Sequence, residues 1–202
     1  MCREKQVEGA AQGEPLPASI SHPLPRLAVD RHHTDSPTAL ALTRQPVPTI
    51  DRSKYASAEG VLKGGYVLSD ASNGEPEVIL IGTGSEVQHC LTAQERLEAQ
   101  GTPTRVVSMP CQEWFYAQPT AYQQEVIPRG IKARVTVEAG IRMSWDRILG
   151  DAGEPVSIEH YGASAPAKIL FEQFGFTADN VVAKANAALA KVGEITGHTT
   201  GN

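Results

Sequence analysis

Val78-Ile-Leu-Ile-Gly82-Thr-Gly-Ser-Glu86, running on through Val87, Cys90, Leu91 and Leu97 to Gly101, is the stretch that decides the fold. Its first residues are an unbroken apolar run closed by glycine, a short strand candidate. Ser85-Glu-Val-Gln88 then matches a capping box, the apolar positions after it fall on one helical face, and Gly101 stands where a C-cap glycine belongs. A second apolar run, Arg105-Val-Val-Ser-Met109, follows at once. Strand, helix and strand in this order predict a right-handed crossover between parallel strands.

Working outward, Gly65–Leu68, Arg134–Glu138 and Val156–His160 complete five strand candidates, most of them separated by helical segments. Cys111–Gln118 and Thr120–Val126 read as two short helices, each stopped by a proline. Ser164 with Pro166 opens another that ends at Gly175, and a last helix spans about Ala178 to Lys191 before a polar tail that frays from Gly193. The expectation is an α/β fold, three layers in α/β/α order around a mostly parallel five-stranded sheet. The first 48 residues differ in texture, with half of the chain's 14 prolines and little apolar periodicity, and read as tail or linker. Within them Pro37–Thr43 is a short apolar run compatible with one buried strand.

The chain has 202 residues, 41% of them apolar, enough for one ordinary domain with a core. Lys and Arg number 18 against 23 Asp and Glu, a net charge of −5 without a basic stripe, which argues against nucleic-acid partners and anionic membrane surfaces. No apolar run approaches the roughly 18 residues of a membrane span, and Met1–Lys5 lacks the apolar core of a secretory signal. Cys2, Cys90 and Cys111 form no metal-ligand spacing and read as free thiols, so the expected compartment is the cytoplasm.

Ligands of an open α/β sheet bind at the carboxyl ends of its strands. Gly82, Thr83, Gly84 and Ser85 make a glycine turn feeding a helix N-terminus, either a phosphate cradle or a structural tight turn; the spacing is short for a dinucleotide fingerprint, and Glu86 would repel an anion. Glu138 and Glu159 end successive strands and form a candidate acid/base pair, or caps for neighbouring helices. His160 beside Glu159 points to the opposite face of a strand, which makes a poor base and orienter. Cys90 falls on the core stripe, and Cys111 reads as more exposed but without a basic neighbour. His32-His33 lack ligand spacing. Trp114, Phe115, Tyr116 and Trp145 read as core or as a subunit interface. Residue chemistry alone therefore yields no catalytic set and no metal site.

A resemblance goes further. Leu42-Thr-Arg-Gln45, Lys63–Asp70, Ile81–Val87, Arg105–Pro110, Ala133–Gly140, Gly162–Ala167, Phe174–Thr177 and Asp179–Ala185, in this order, resemble the end of a transketolase. The resemblance implies the C-terminal of three α/β domains, preceded by the last strand of the pyrimidine-binding domain. Transketolases move a two-carbon ketol unit between sugar phosphates in the pentose phosphate pathway, using thiamine diphosphate and Mg2+ held by their first two domains. The Gly-Asp-Gly signature of the diphosphate domain is absent, and Gly150-Asp-Ala-Gly153 does not replace it.

The implied organisation is a disordered leader unrelated to the family (1–36), a remnant of the pyrimidine-binding domain and linker (37–54), the C-terminal domain (55–192) and a flexible tail (193–202). Arg44 matches the arginine that contacts the sugar phosphate's phosphate in the family, a role suited to a guanidinium fork. The chain alone is expected to bind no cofactor and to be inactive, and to form a weak homodimer or to associate with transketolase N-terminal domains. The alternatives are a half-enzyme completed by a separate N-terminal chain, or a non-catalytic module that binds a ligand in the Gly82–Glu86 crevice.

Overall fold

The structure, a computed structural model, describes residues 4–6, 39–41, 43 and 45–197. Seven strands occur among them: β1 (Glu4–Gln6), β2 (Ala39–Ala41), β3 (Tyr66–Ser69), β4 (Val78–Gly82), β5 (Thr104–Ser108), β6 (Ala133–Val137) and β7 (Glu154–Val156). The α-helices are α1 (Val87–Ala99), α2 (Gln112–Tyr116), α3 (Thr120–Val126), α4 (Asp146–Leu149), α5 (Ala167–Gln173) and α6 (Ala178–Gly197). Strands β3 to β7 form a five-stranded sheet in the order β3-β5-β4-β6-β7. Only β3 runs antiparallel within it.

All five residues of β4 are buried. Side-chain alternation sends Val78 and Leu80 to one face, where they pack with Val106, Val135 and the apolar stripes of α1 and α6. Ile79 and Ile81 face the other way, into a second core with Phe115 of α2, Val126 of α3 and Ile148 and Leu149 of α4. The result is the expected three-layer α/β/α arrangement. Burying one Leu or Ile side chain contributes roughly 1.5–3 kcal/mol, so β4 anchors both layers.

Two arginines extend this second face. Ile79 of β4 stands in register with Arg105 of β5 and Arg134 of β6. Arg105 meets Asp70 through two hydrogen bonds, from Nε at 2.7 Å and from Nη2 at 2.9 Å, and its Nη1 donates to the Glu125 carbonyl at 2.7 Å. This bidentate pair, with Arg105 buried, ties the end of β3 to β5 and α3.

Several boundaries differ from the sequence reading. No side-chain cap opens α1: Gly84–Glu86 forms a 3-10 turn, the Ser85 hydroxyl donates to Glu86, and Gln88 donates to the Ser85 carbonyl. Strand β7 ends at Val156, because only Glu154–Val156 align with Val135–Val137. Glu159 and His160 consequently lie in a loop, not on a strand. Pro166, not Ser164, occupies the N-cap of α5. Helix α6 continues through Gly193 to Gly197, and upstream of that point Lys184 and Lys191 both pair with Glu154 of β7. Strand β2 lies within the apolar run expected to be buried, but it pairs in parallel with β1 in a separate two-stranded sheet, and Ala39 is exposed. Of the 1–36 leader only Glu4–Gln6 is among the described residues.

Gly64 links the two halves of the fold. It closes the 3-10 turn Ala58–Lys63 with φ of 79°, and a Cβ there would stand 2.4 Å from both the Cys111 carbonyl oxygen and the Phe115 nitrogen. Left-handed backbone costs an L-residue about 1–2 kcal/mol before any clash. Gly64→Ala is therefore expected to lower the unfolding free energy by roughly 2 kcal/mol or more, measured by urea denaturation.

Candidate functional site

At the carboxyl ends of the strands the chain leaves β4 through Gly82, β5 through Met109-Pro110-Cys111, β6 through Glu138-Ala139-Gly140 and β7 through Ser157–Glu159. Gly82 is required by packing: a Cβ would lie 2.9 Å from Cys90 Sγ and 3.1 Å from Val87 Cα. Strand β4 thus passes into α1 with no room for a side chain, and Thr83 and Ser85 are buried.

A cavity of about 270 Å³ opens beside this turn, lined by Thr83, Met109, Cys111, Glu113, Glu138 and Trp145 among others. Its charged lining is carboxylate. Glu138 accepts a hydrogen bond from the Trp145 indole at 2.6 Å, and the Cys111 thiol donates to Glu113 at 3.4 Å. Glu86, buried next to it, accepts from the Ala139 backbone at 3.2 Å and from the Ser85 hydroxyl at 3.0 Å. Burial pushes the Glu86 carboxyl above its ordinary range, against the hydrogen bonds it accepts, and the charge of Glu138 adds to the rise.

The sequence candidates are not brought together as an active site. Glu138 turns toward Trp145, whereas Glu159 accepts from the Arg142 backbone at 2.9 Å and from the Ser157 hydroxyl at 2.7 Å. These bonds hold the Glu159 carboxyl below the usual range, so the two glutamates serve as separate loop ties and not as an acid/base pair. His160 packs edge-on against Phe174, with ring centroids 4.9 Å apart. Cys111 is buried, contrary to the expectation of exposure, because the Gly64 carbonyl holds its backbone N–H under the 3-10 turn. Trp114, Phe115 and Trp145 are all buried and belong to the core. Arg44 lies outside the described residues.

Sequence reasoning took Glu86 as an obstacle to an anion and missed its use as a buried tie between the turns after β4 and β6. No pattern announces a glutamate that folds back onto a backbone N–H 53 residues away. The donor set does not fit a diphosphate, which would face Glu86, Glu113 and Glu138. Among the described residues no group of three His, Cys, Asp or Glu is placed to hold a metal ion.

Residues 64–177 match the family model described as the transketolase-like C-terminal domain. The chain belongs to this family. It is 52% identical over 168 residues to the transketolase of Mycobacterium tuberculosis, an overlap that covers 81% of this chain and 24% of the relative. Among solved structures, transketolase from Leishmania mexicana superposes with a TM-score of 0.76 at 31% identity, covering 94% of this chain and 26% of that one. A split-gene transketolase, described as an inactive β4 tetramer, shares the fold with a TM-score of 0.57 at 22% identity over 75% of this chain and 50% of its own. The chain therefore spans about a quarter of the length of the curated transketolases it matches. Among the described residues no helix is long and apolar enough to cross a membrane.

Glu86 gives this transketolase-like domain a pH signature. A carboxyl whose folded pKa is raised favours the folded state most below its unfolded pKa, and that advantage is lost as pH rises through the folded value. Glu86→Gln removes the titration. The stability of the variant relative to the native chain is expected to increase from pH 4 toward neutrality, read from paired urea denaturation curves.

Proposed function

We propose that the chain acts as the C-terminal domain of a transketolase assembly in the cytoplasm, where Cys90 and Cys111, not joined in a disulfide, suit a reducing compartment. In this reading, thiamine diphosphate and a divalent metal, bound by other domains, support ketol transfer between sugar phosphates. The chain alone is inactive and supplies structure and association. The single observation that carries the reading is an exposed apolar patch at the carboxyl ends of the strands. Ile141 and Met143 project from the loop after β6 and Tyr161 from the loop after β7, Met143 with 72% and Tyr161 with 98% of its surface exposed. The two loops are braced together, since Ile158 N–H donates to the Gly140 carbonyl and Arg142 N–H to Glu159. Rigid exposed apolar side chains on adjoining loops suit a protein interface. The occupant is the remainder of a transketolase; weak self-association of the chain is the lesser use of the same face.

A second reading has one specific support. The split-gene relative is itself described as an inactive β4 tetramer, which favours a half-enzyme completed by a separately encoded N-terminal chain. In both readings Gly82–Ser85 is a structural turn, and the substrate contact is Arg44, whose guanidinium binds the phosphate of the sugar.

The test mixes the chain with the two N-terminal domains of a transketolase, thiamine diphosphate and magnesium. Neither part alone should transfer ketol units, and the mixture should. Met143→Asp with Tyr161→Asp should weaken the association, and turnover by the chain alone would overturn the reading. In an active mixture, Arg44→Ala removes a charge-assisted hydrogen bond, so kcat/KM for phosphorylated acceptors should fall about ten- to a hundredfold, with a much smaller loss for unphosphorylated ones.

A further inference from the structure

Two arginines stand near the amino ends of β5 and β6. Arg105 and Arg134 occupy the same rung, on either side of Ile79. Arg105 is neutralised by Asp70, but Arg134 has no carboxylate partner among the described residues. Its three nitrogens donate instead to backbone carbonyls, Nε to Ile131 at 2.8 Å, Nη1 to Ile148 at 2.8 Å and Nη2 to Pro128 at 3.0 Å. A guanidinium has five N–H groups, so these bonds fix its plane and leave one on each Nη to spare. Burial without a counter-charge shows electrostatically, since desolvation lowers the Arg134 pKa.

This guanidinium lines a cavity of about 180 Å³ together with Arg129, Arg147, Tyr116 and Thr120, and no Asp or Glu is among the lining residues. Arg147 lies over the Tyr116 ring, 3.8 Å from its centroid, which sets its position without neutralising its charge. Arg129 is exposed and has no carboxylate partner among the described residues. The Tyr116 hydroxyl is buried and has no hydrogen-bond partner among the described residues. A buried hydroxyl without a partner costs free energy that a ligand oxygen would recover. Three guanidinium groups and a phenol around one cavity, in a chain of net charge −5, make a local field opposite in sign to that of the whole molecule.

We propose that this cavity is a binding site for a phosphoryl group, free or as a small phosphate monoester. A tetrahedral dianion accepts hydrogen bonds from several directions at once, matching donors on α2, on the loop before β6, on β6 and on α4, and arginine forks suit its oxygens. The site lies at the amino end of β6, whereas the Glu138 crevice follows the carboxyl end of the same strand. It is therefore separate from the face assigned to association with other domains.

The experiment is a titration of the full chain with inorganic phosphate and, separately, with glucose 6-phosphate, read by calorimetry and by the shift in melting temperature. Saturable binding of about millimolar affinity or tighter is expected. Tighter binding of the ester assigns a phosphate monoester, and equal binding assigns the free ion. Arg129→Gln with Arg147→Gln, both at exposed positions and so compatible with folding, should weaken binding at least about tenfold. Lys168→Gln, on α5, should leave it unchanged. Equal responses to sodium chloride at matched ionic strength, equal binding of acetate, or a double variant that binds like the native chain would each overturn the proposal.

Discussion

Everything in this molecule depends on one strand being dry on all sides. Val78–Gly82 is buried along its whole length, and its backbone is paired with β5 on one edge and β6 on the other. A strand in that position must be apolar on both faces, must have helices over both, and must leave the sheet through a residue without a side chain. The sequence meets each demand, with Ile and Leu alternating between the two cores and Gly82 pressed against Cys90 and Val87. Its neighbours inherit the constraint. Polar residues on β5 and β6 beside Ile79 have to find partners inside the protein, and Arg105 and Arg134 do so in different ways, one with a carboxylate and one with carbonyls.

That difference divides the domain functionally. At the carboxyl ends, carboxylates are absorbed as braces: Glu86 holds the turn after β6, Glu138 holds Trp145, and Glu159 holds the loop that follows β6. A braced, acidic surface with apolar tips suits the association proposed above. At the amino end of β6 the positive charge is left unneutralised around a cavity. In the proposed reading the domain is an attachment unit, and the cavity beside Arg134 is a candidate anion site apart from its association face.

The central crossover was legible because its signals are local: an apolar run, a one-sided stripe and glycines at the turns. The end of α6 was less legible, since Gly193 reads as a stop but the helix runs on to Gly197. Strand β7 was misplaced because its extent is set by the partner β6, which no short window contains. Cys111 read as more exposed, and Trp114 was left between core and interface, since their cover comes from the distant turn at Gly64. Cys111, Glu138 and Trp145, which line the strand-end crevice, were singled out in the sequence by their places after strands, whereas Arg44 lies outside the described residues. The role of Glu86 rests on a contact with a backbone N–H 53 residues away, and that of Arg134 on carbonyls of the preceding loop and of α4, to which periodicity is blind.

In the proposed reading a domain built on β4 offers its strand-end loops to the remainder of a transketolase. Amide hydrogen exchange of the chain, alone and mixed with transketolase N-terminal domains, tests both halves at once. The amides of Ile79–Ile81 should be among the slowest in either state, and the mixture should gain protection in the loops 138–145 and 157–166. Faster exchange in β4 than in the edge strands β3 and β7, or protection gained only outside those loops, would contradict it.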